Sequence, residues 1–471
     1  MTAPVLLWLR RELRLHDNAA LAAALATGRP VLPVYVLDET TPGAWAPGGA
    51  TRWWLHHALA ALAADLAARG APLVLRRGRF ADEIPRLVAE TGAAEVHAGI
   101  PTEPWARDAI AALDRTLAAK LHLHRTATLF TGTDIRTQAG GPYGVFTPFA
   151  NACRTRLDPA PPLPAPARIP SPARPPSDAL ESWGLRPTRP DWAGGLRAAW
   201  MPGEASARRA LAAFAAEWLD TYDKARDFPD RPGTSMLSPY LAFGEISPDD
   251  AWRAARGGGR GAEVWRNELL WREFSAHLLW HHPTLPDAPL RAEYGAMPWR
   301  DDPAALRAWQ QGRTGIPIVD AGMRQLWHTG WMHNRVRMIV ASLLAKHLLL
   351  PWRDGEAWFW DTLVDADLAS NSAQWQWVAG CGADAAPYFR IFNPVLQGWK
   401  FDPAGDYVRR WVPELANLPP KEIHAPWDAP EMLLRGAGIA LGRSYPRPIV
   451  DLAEGRQRAL RALETVSAAK A

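Results

Sequence analysis

The sequence predicts two architectures in one chain: an α/β domain with a doubly wound parallel sheet, then an all-α domain, joined by a long proline-rich linker. Three observations carry this. Residues 1–132 alternate apolar strand-like runs with Ala-rich helical stretches, the rhythm of an open parallel sheet with helices on both faces. Eleven prolines fall between Pro159 and Pro190, followed by Gly194-Gly195; residues 158–195, within a linker of 133–203, cannot hold regular hydrogen-bonded structure and are expected to run extended. From residue 204 to 471 the apolar period changes to 3.6 and no strand-like run interrupts it.

The elements follow in order. Val5–Leu9, Val31–Leu37, Leu73–Leu75 and Val96–His97 read as buried strands. Between them, 17–27, 51–69, 80–91 and 106–119 read as helices. Ligands of such sheets sit at the carboxyl ends of the strands. No Gly-x-Gly-x-x-Gly follows the first strand, where Trp8-Leu-Arg-Arg-Glu-Leu-Arg14 stands, so a dinucleotide fingerprint is excluded there. In the helical part, Leu211, Phe214, Ala215, Trp218, Leu219 and Tyr222 make one stripe. Pro317 opens a second helix through Val319, Gly322, Met323, Leu326 and Trp327, which stops near Gly330. A third carries Val336, Ile339, Val340, Leu343, Leu344 and Leu348 and ends before Pro351. Gly257-Gly-Gly-Arg-Gly261 follows a helix rather than a strand and reads as a loop.

Composition narrows the function. The chain has 471 residues and a formal net charge of +4, a balance that permits a polyanionic partner without demanding one. Two cysteines, Cys153 and Cys381, form no metal motif and fit a reducing, cytoplasmic compartment. The apolar run Val5–Leu9 is cut off by Arg10 and Arg11, too short for a signal peptide or membrane span. His56-His57, His122 with His124, and His281-His282 lack a third ligand at metal spacing, so no metal is expected. There are 25 tryptophans, 12 of them between Trp265 and Trp377. Such clustering suggests a stacking surface or a path for electrons.

Four stretches carry candidate chemistry. Gly233-Thr-Ser-Met-Leu-Ser238 is a small hydroxyl-rich loop of the kind that holds phosphates, or simply a capped turn. Trp265-Arg-Asn-Glu-Leu-Leu-Trp-Arg-Glu-Phe274 puts Glu268, Trp271 and Arg272 on one helix. Acid, indole and guanidinium together suit an aromatic heterocycle attached to phosphates, or an ordinary amphipathic helix. Gly330-Trp-Met-His-Asn-Arg-Val-Arg-Met338 places Asn334, Arg335 and Arg337 at a helix start. In Asp365-Ala-Asp-Leu-Ala-Ser-Asn-Ser-Ala-Gln-Trp-Gln-Trp377, a helix would align Asp367, Asn371 and Trp375 at i, i+4 and i+8, with Trp377 roughly 200° from Trp375. The alternative for this last stretch is a capped helix end with buried tryptophans. There is no Walker loop, nucleophile elbow or zinc-protease helix.

These motifs together resemble the photolyase/cryptochrome flavoprotein family. The resemblance runs from Trp8-Leu-Arg-Arg-Glu-Leu-Arg-Leu-His-Asp-Asn18 to Pro446-Arg-Pro-Ile-Val450. It is densest at Arg226-Asp-Phe-Pro229, Gly233–Ser238, Asn267–Phe274, Thr314–Arg337, Asp365–Trp377 and Ala386-Pro-Tyr-Phe-Arg-Ile-Phe-Asn-Pro394. Within the family it is most similar to class I cyclobutane pyrimidine dimer photolyases. That resemblance implies a monomeric, light-driven lyase: reduced FAD passes an electron to a dimer flipped out of UV-damaged DNA.

By matching position, Tyr222, Thr234, Ser235, Met236, Leu237 and Ser238 are expected at the FAD phosphates and sugar. Trp265, Asn334, Arg337, Asp365, Ala366, Asp367 and Asn371 are expected at the rest of the cofactor, with Arg337 and Asp365 paired beside the ring system. FAD is thus expected entirely within 204–471. Glu268, Trp271, Asn334, Met338 and Trp377 are expected to line the lesion pocket. Arg226, Arg272, Arg335, Arg390 and Gln397 are expected at DNA phosphates. Trp375, Trp352 and Trp299 match the family's electron-hopping tryptophans. Leu9 and Glu12 replace the commoner Phe and Asp. Where many relatives carry Asn and Tyr before Glu103-Pro-Trp105, this chain has Gly99-Ile-Pro-Thr102. That departure leaves three outcomes for an antenna: methenyltetrahydrofolate, a deazaflavin, or none.

Three competing functions differ at particular positions. Plant-type cryptochromes commonly place Asp, and animal ones Cys, at the position of Asn371. Six-four photolyases place His where Met338 stands. A non-catalytic DNA-binding flavoprotein would have no need of Glu268, Trp271 and Trp377 together.

Overall fold

The computed structural model describes residues 2–255, 257–384 and 389–468. Ala386, Pro387 and Tyr388 of the last motif lie outside them. Five parallel strands form one sheet: β1 (Val5–Leu9), β2 (Val31–Leu37), β3 (Val74–Arg77), β4 (Glu95–Gly99) and β5 (Lys120–His124), in the order β3-β2-β1-β4-β5. β1 lies at the centre, with Val5 opposite Val31 on one side and Glu95 on the other. All five of its residues are buried, as a strand covered on both faces requires. Leu6, Trp8, Leu32, Val34, Val74, Val96 and Ala98 face one way. They pack with Phe80, Ile84 and Leu87 of the helix Phe80–Thr91 and with Ile110 and Leu113 of the helix Pro104–Asp114. Each such large side chain contributes roughly 1.5–3 kcal/mol by leaving water.

β5 corrects the reading of 106–119 as helix. That helix ends at Asp114, and a fifth strand begins at Lys120. Lys120-Leu-His-Leu-His124 does alternate apolar and polar residues, but as a half-exposed edge strand it lacks the continuous apolar run of its buried neighbours.

The proline-rich segment runs extended and is pinned by backbone bonds. Val31 N donates to Pro170 O (2.7 Å), Ile169 N to Arg69 O (2.8 Å) and Asp178 N to Leu75 O (2.9 Å). No strand occurs among the described residues beyond β5, so the regular structure there is helical apart from an isolated bridge between Leu441 and Tyr445.

By compactness the chain forms two units. One unit comprises 1–223, 235–283 and 364–370; the other comprises 224–234, 284–363 and 371–471. Tyr222, Ser235, Trp265 and Asp365 thus belong with the sheet. In the second unit, Pro317–Thr329 forms the helix the sequence predicts and stops at Gly330 with φ +67°. The next helix, Asn334–Ser342, widens into a π turn over Leu343–His347 before Pro351. Buried Asp320 holds the unit's C-terminal segment. It accepts from Thr314 N (2.7 Å), Thr314 Oγ1 (2.7 Å), Gly315 N (3.0 Å) and the Tyr445 hydroxyl (2.7 Å).

Candidate active site

In the first unit, Asp367 is the focus. Its Oδ1 accepts from Ser370 N (2.9 Å), capping the helix Leu368–Ala379, and its Oδ2 lies 3.3 Å from the Arg11 guanidinium. Arg11 also donates to Glu103 Oε1 (2.8 Å) and to Ala242 O (2.8 Å). Burial alone would raise the pKa of both carboxyls. Arg11 outweighs it and holds both below the usual carboxylate range, aided at Asp367 by Arg272 and at Glu103 by Arg10. Glu103, the acid of the expected antenna segment, is therefore a strut beneath the Asp365–Asp367 turn. Sequence reading missed Arg11, because its partner Asp367 lies 356 positions away in sequence.

Tyr222 and Trp265 are brought together, with ring centroids 5.7 Å apart and planes at 85°. The Trp265 N–H is spent on Ala251 O (3.0 Å), so the indole presents only its apolar surface. In the hydroxyl loop, Ser235 Oγ accepts from Leu237 N (3.3 Å). Met236 takes φ +54°, a conformation that non-glycine residues rarely adopt. On the helix Arg260–His281, Glu268, Trp271 and Arg272 are all half-buried. Trp271 stacks flat on Phe146, with centroids 3.8 Å apart and planes at 5°. Arg272 points toward Glu273 and Asp367 rather than standing clear in solvent. Together with Arg11, Thr102, Ala242 and Asp367 it lines a small cleft. Gly99–Thr102 leads into a larger cleft of this unit, lined by Ile100, Pro101, Phe149, Glu273, His277 and Trp280.

In the second unit, Asn371 is buried and its Nδ2 donates to Glu356 O (3.0 Å). That bond fixes the amide end of the carboxamide. Glu356 is itself fully buried. Its Oε1 accepts from Ser372 Oγ (2.5 Å), and burial pushes the carboxyl up to about 8. Trp375 is 3% exposed, set against Phe359 (5.0 Å, 72°) and Trp309 (6.1 Å, 68°). Gly355 makes this packing possible, because a Cβ there would fall 2.1 Å from the Trp375 ring. A glycine inside the helix Trp352–Thr362 was the one sequence signal of that approach. Trp352 is buried at 3% and Trp299 is half-buried. Of the three expected relay indoles, two are buried and Trp299 is partly exposed.

The arginine-bearing helix Asn334–Ser342 is capped by His333, whose Nδ1 accepts from Arg335 N (3.2 Å). Burial lowers His333 to about 4. Asn334 is exposed; Arg337 and Met338 are half-buried, and Arg337 Nε donates to Met332 O (2.7 Å). Arg335 pairs with Asp227 (2.6 Å) and lies 4.4 Å from the Phe401 ring centre, so it is held rather than extended. Arg226 and Thr234 are half-buried, and Gly233 touches Ala225 so closely that a Cβ would meet its carbonyl oxygen at 2.6 Å. Exposed Arg390 reaches to 5.8 Å from the ring of half-buried Trp377, and Gln397 sits on the helix Pro394–Phe401.

Glu356 gives a testable pH signature. Its folded pKa lies well above that of a free glutamate, about 4.3. Between about pH 5 and 8 the native protein keeps a proton that the unfolded chain has released, so this group's contribution falls as pH rises. Glu245, Glu273 and Asp402 are also raised by burial, to about 8, 7 and 6, and add to the parent's slope. Glu356→Gln keeps the shape and removes one titration. We expect it to gain about 1–3 kcal/mol over the parent between pH 5 and pH 8. Thermal midpoints measured across that range check this; parallel profiles would exclude a buried neutral Glu356.

The comparisons with known proteins agree with this layout. Residues 5–167 match the DNA photolyase family, and residues 265–465 match the FAD binding domain of DNA photolyase. A deoxyribodipyrimidine photo-lyase of Agrobacterium fabrum is 49% identical, over 99% of this chain and 98% of its own. Cryptochrome-1 of Arabidopsis thaliana is 37% identical over 97% of this chain and 70% of its own. The crystal structure of a bacterial class III photolyase from Agrobacterium tumefaciens superposes with a TM-score of 0.96 at 48% identity, covering 99% of this chain and 98% of that one. The class I assignment expected from the motifs is not carried by these matches. No helix among the described residues is long and apolar enough to cross a membrane. A five-stranded parallel sheet, a helical FAD-binding domain and near full-length identity converge on one conclusion: the chain belongs to the photolyase/cryptochrome family.

Proposed function

We propose that this protein is a deoxyribodipyrimidine photo-lyase that splits cyclobutane pyrimidine dimers in UV-damaged DNA under blue light. The observation that carries this reading is the 49% identity, along nearly the whole chain, to an Agrobacterium fabrum protein of that name. FAD, when bound and reduced, supplies the light absorption and the electron. The residues present suit it. Tyr222 and Trp265 offer an aromatic surface, Thr234, Ser235 and Ser238 offer hydroxyls, and Asn371 offers an oriented carboxamide oxygen. Met236, Leu237, Asn334, Arg337, Asp365, Ala366 and Asp367 complete the proposed set, with Asp367 kept anionic by Arg11.

The remaining chemistry falls to the protein. Glu268 hydrogen-bonds the flipped dimer and stabilises the charge it acquires. Trp271 and Trp377 flank the extruded bases, while Asn334 and Met338 line their pocket. Arg226, Arg272, Arg335, Arg390 and Gln397 meet the strand on either side of the lesion. The ion pair to Asp227 must loosen before Arg335 can reach a phosphate.

A light-sensing role is the second reading, favoured by the match to Cryptochrome-1. Asn371 weighs against it, since plant sensors commonly carry Asp there. Oligonucleotides bearing a cyclobutane dimer, a six-four photoproduct or no lesion separate the readings. Repair of the first alone is expected; repair of the six-four product, or of neither, would refute the assignment.

Glu268→Ala separates chemistry from binding. Its interaction strengthens only once charge has moved to the dimer, so repair per photon is expected to fall several-fold while affinity changes less than about threefold. An unchanged yield would remove Glu268 from the reaction.

A further inference from the structure

The sequence offers no metal motif, yet β4 and β5 bring four ligand-type side chains together. In the parallel register His97 lies beside His122, Glu95 precedes His97 by two positions and His124 follows His122 by two. Period-two alternation puts all four on one face, opposite the face of Val96 and Ala98. Glu95 Oε2 is 3.3 Å from His97 Nε2 and 3.2 Å from His122 Nε2, and one ligand atom from each of the three residues lies within 4.8 Å of the others. A tetrahedral zinc ion with bonds of about 2.0–2.1 Å sets its ligand atoms about 3.3–3.4 Å apart, so two of the three edges are already in place. His97 Nδ1 lies 3.0 Å from His124 Nε2. Such a contact on the second ring nitrogen is how metal-binding histidines are oriented. The His97 ring stacks between those of His122 (4.7 Å, 25°) and His124 (5.1 Å, 8°), which limits its rotation.

We propose that Glu95, His97 and His122 form a binding site for a zinc-class divalent transition cation, with His124 positioning His97. Three protein ligands leave the fourth position to water. His122 and Glu95 are 28% and 25% exposed at the side chain, so an ion can enter from solvent. The nearby cations set an upper limit on affinity. The Arg29 guanidinium lies 3.9 Å from the other Glu95 oxygen, and Lys120 is the strand neighbour of Glu95. The consequence is structural. The ion would clip edge strand β5 to β4, stabilising the strand most open to unwanted pairing.

The test uses the full-length, flavin-loaded protein without a histidine tag, stripped with a chelator and titrated with Zn²⁺, Co²⁺ or Mg²⁺. One Co²⁺ per chain with the intense visible bands of a four-coordinate ion is expected. Zn²⁺ should raise the thermal midpoint and Mg²⁺ should not. Glu95→Gln and His122→Ala should each weaken Zn²⁺ binding at least ~10-fold, while exposed His328→Ala leaves it unchanged. Each variant's metal-free midpoint and flavin spectrum check its folding. Anomalous scattering at the zinc edge locates the ion in the unaltered protein, whatever the variants do. Zinc found elsewhere, or binding by the Glu95→Gln/His122→Ala double variant equal to the parent's, would overturn the proposal.

Discussion

Trp375→Phe is expected to slow the light-driven reduction of oxidised flavin by about tenfold or more. Trp375 is a buried member of the proposed relay, packed against Phe359 and Trp309 and admitted to its place by Gly355. An indole gives up an electron readily and a phenyl ring does not. In the proposed relay, Trp375 would donate first, Trp352 would refill it, and half-buried Trp299 would refill Trp352 and lose its proton to water. Phe fills most of the indole's volume, so the fold should tolerate the change. Under blue light with an external reductant, flavin absorbance reads the rate directly. The same variant, reduced chemically beforehand, should repair dimers at nearly the parent's yield, because the relay only refills the flavin. Trp352→Phe and Trp299→Phe should show the same split. Normal photoreduction in Trp375→Phe would dismiss the relay. A second buried indole, Trp309, also touches Trp375, but its N–H is held by Val340 O.

Arg11→Met is expected to cost about 2–4 kcal/mol at neutral pH and to weaken flavin retention. The substitution keeps an unbranched apolar stem but leaves Glu103 and Asp367 as buried anions without their guanidinium. The figure sits at the low side of the range for broken buried pairs because 26% of the Arg11 side chain meets solvent. The pH dependence has a definite sign. Both carboxyls have folded pKa values below the ordinary range, so their contribution is present above about pH 4 and is lost as pH falls through the folded values. The gap between parent and variant should therefore be widest near pH 7 and shrink toward pH 4, where protonation relieves the stranded anions. Paired thermal melts at several pH values check this. A gap independent of pH would mean that Arg11 acts through packing alone.

Arg11 also shows where sequence reading reached its limit. Local patterns were legible. Continuous apolar runs marked the buried strands, Pro317 and Gly330 bracketed a helix, and the spacing of Asp367, Asn371 and Trp375 placed the cap, carboxamide and indole. Contacts made by folding were not. Nothing near Asp367 announces Arg11, and nothing near His122 announces Glu95, its neighbour only through strand pairing. β5 was missed because an edge strand half in solvent carries a weak apolar signal. Glu356 read as an ordinary helical glutamate, since a buried neutral acid and an exposed anion look alike in sequence. Trp271 and Arg335 were placed on the right helices, but only the fold shows one stacked on Phe146 and the other tied to Asp227. With Asp367 leaning on Arg11, flavin binding is a property to test on the whole chain rather than on residues 204–471.

Light-driven cleavage of pyrimidine dimers by this chain is tested most directly by the loss of cyclobutane dimers from a defined oligonucleotide, followed by chromatography, with chemically reduced, flavin-loaded protein. Under blue light, dimers should disappear with multiple turnovers and yield intact pyrimidines, and in the dark they should bind without loss. Undiminished dimers after illumination of fully reduced protein that demonstrably binds the oligonucleotide would contradict the account.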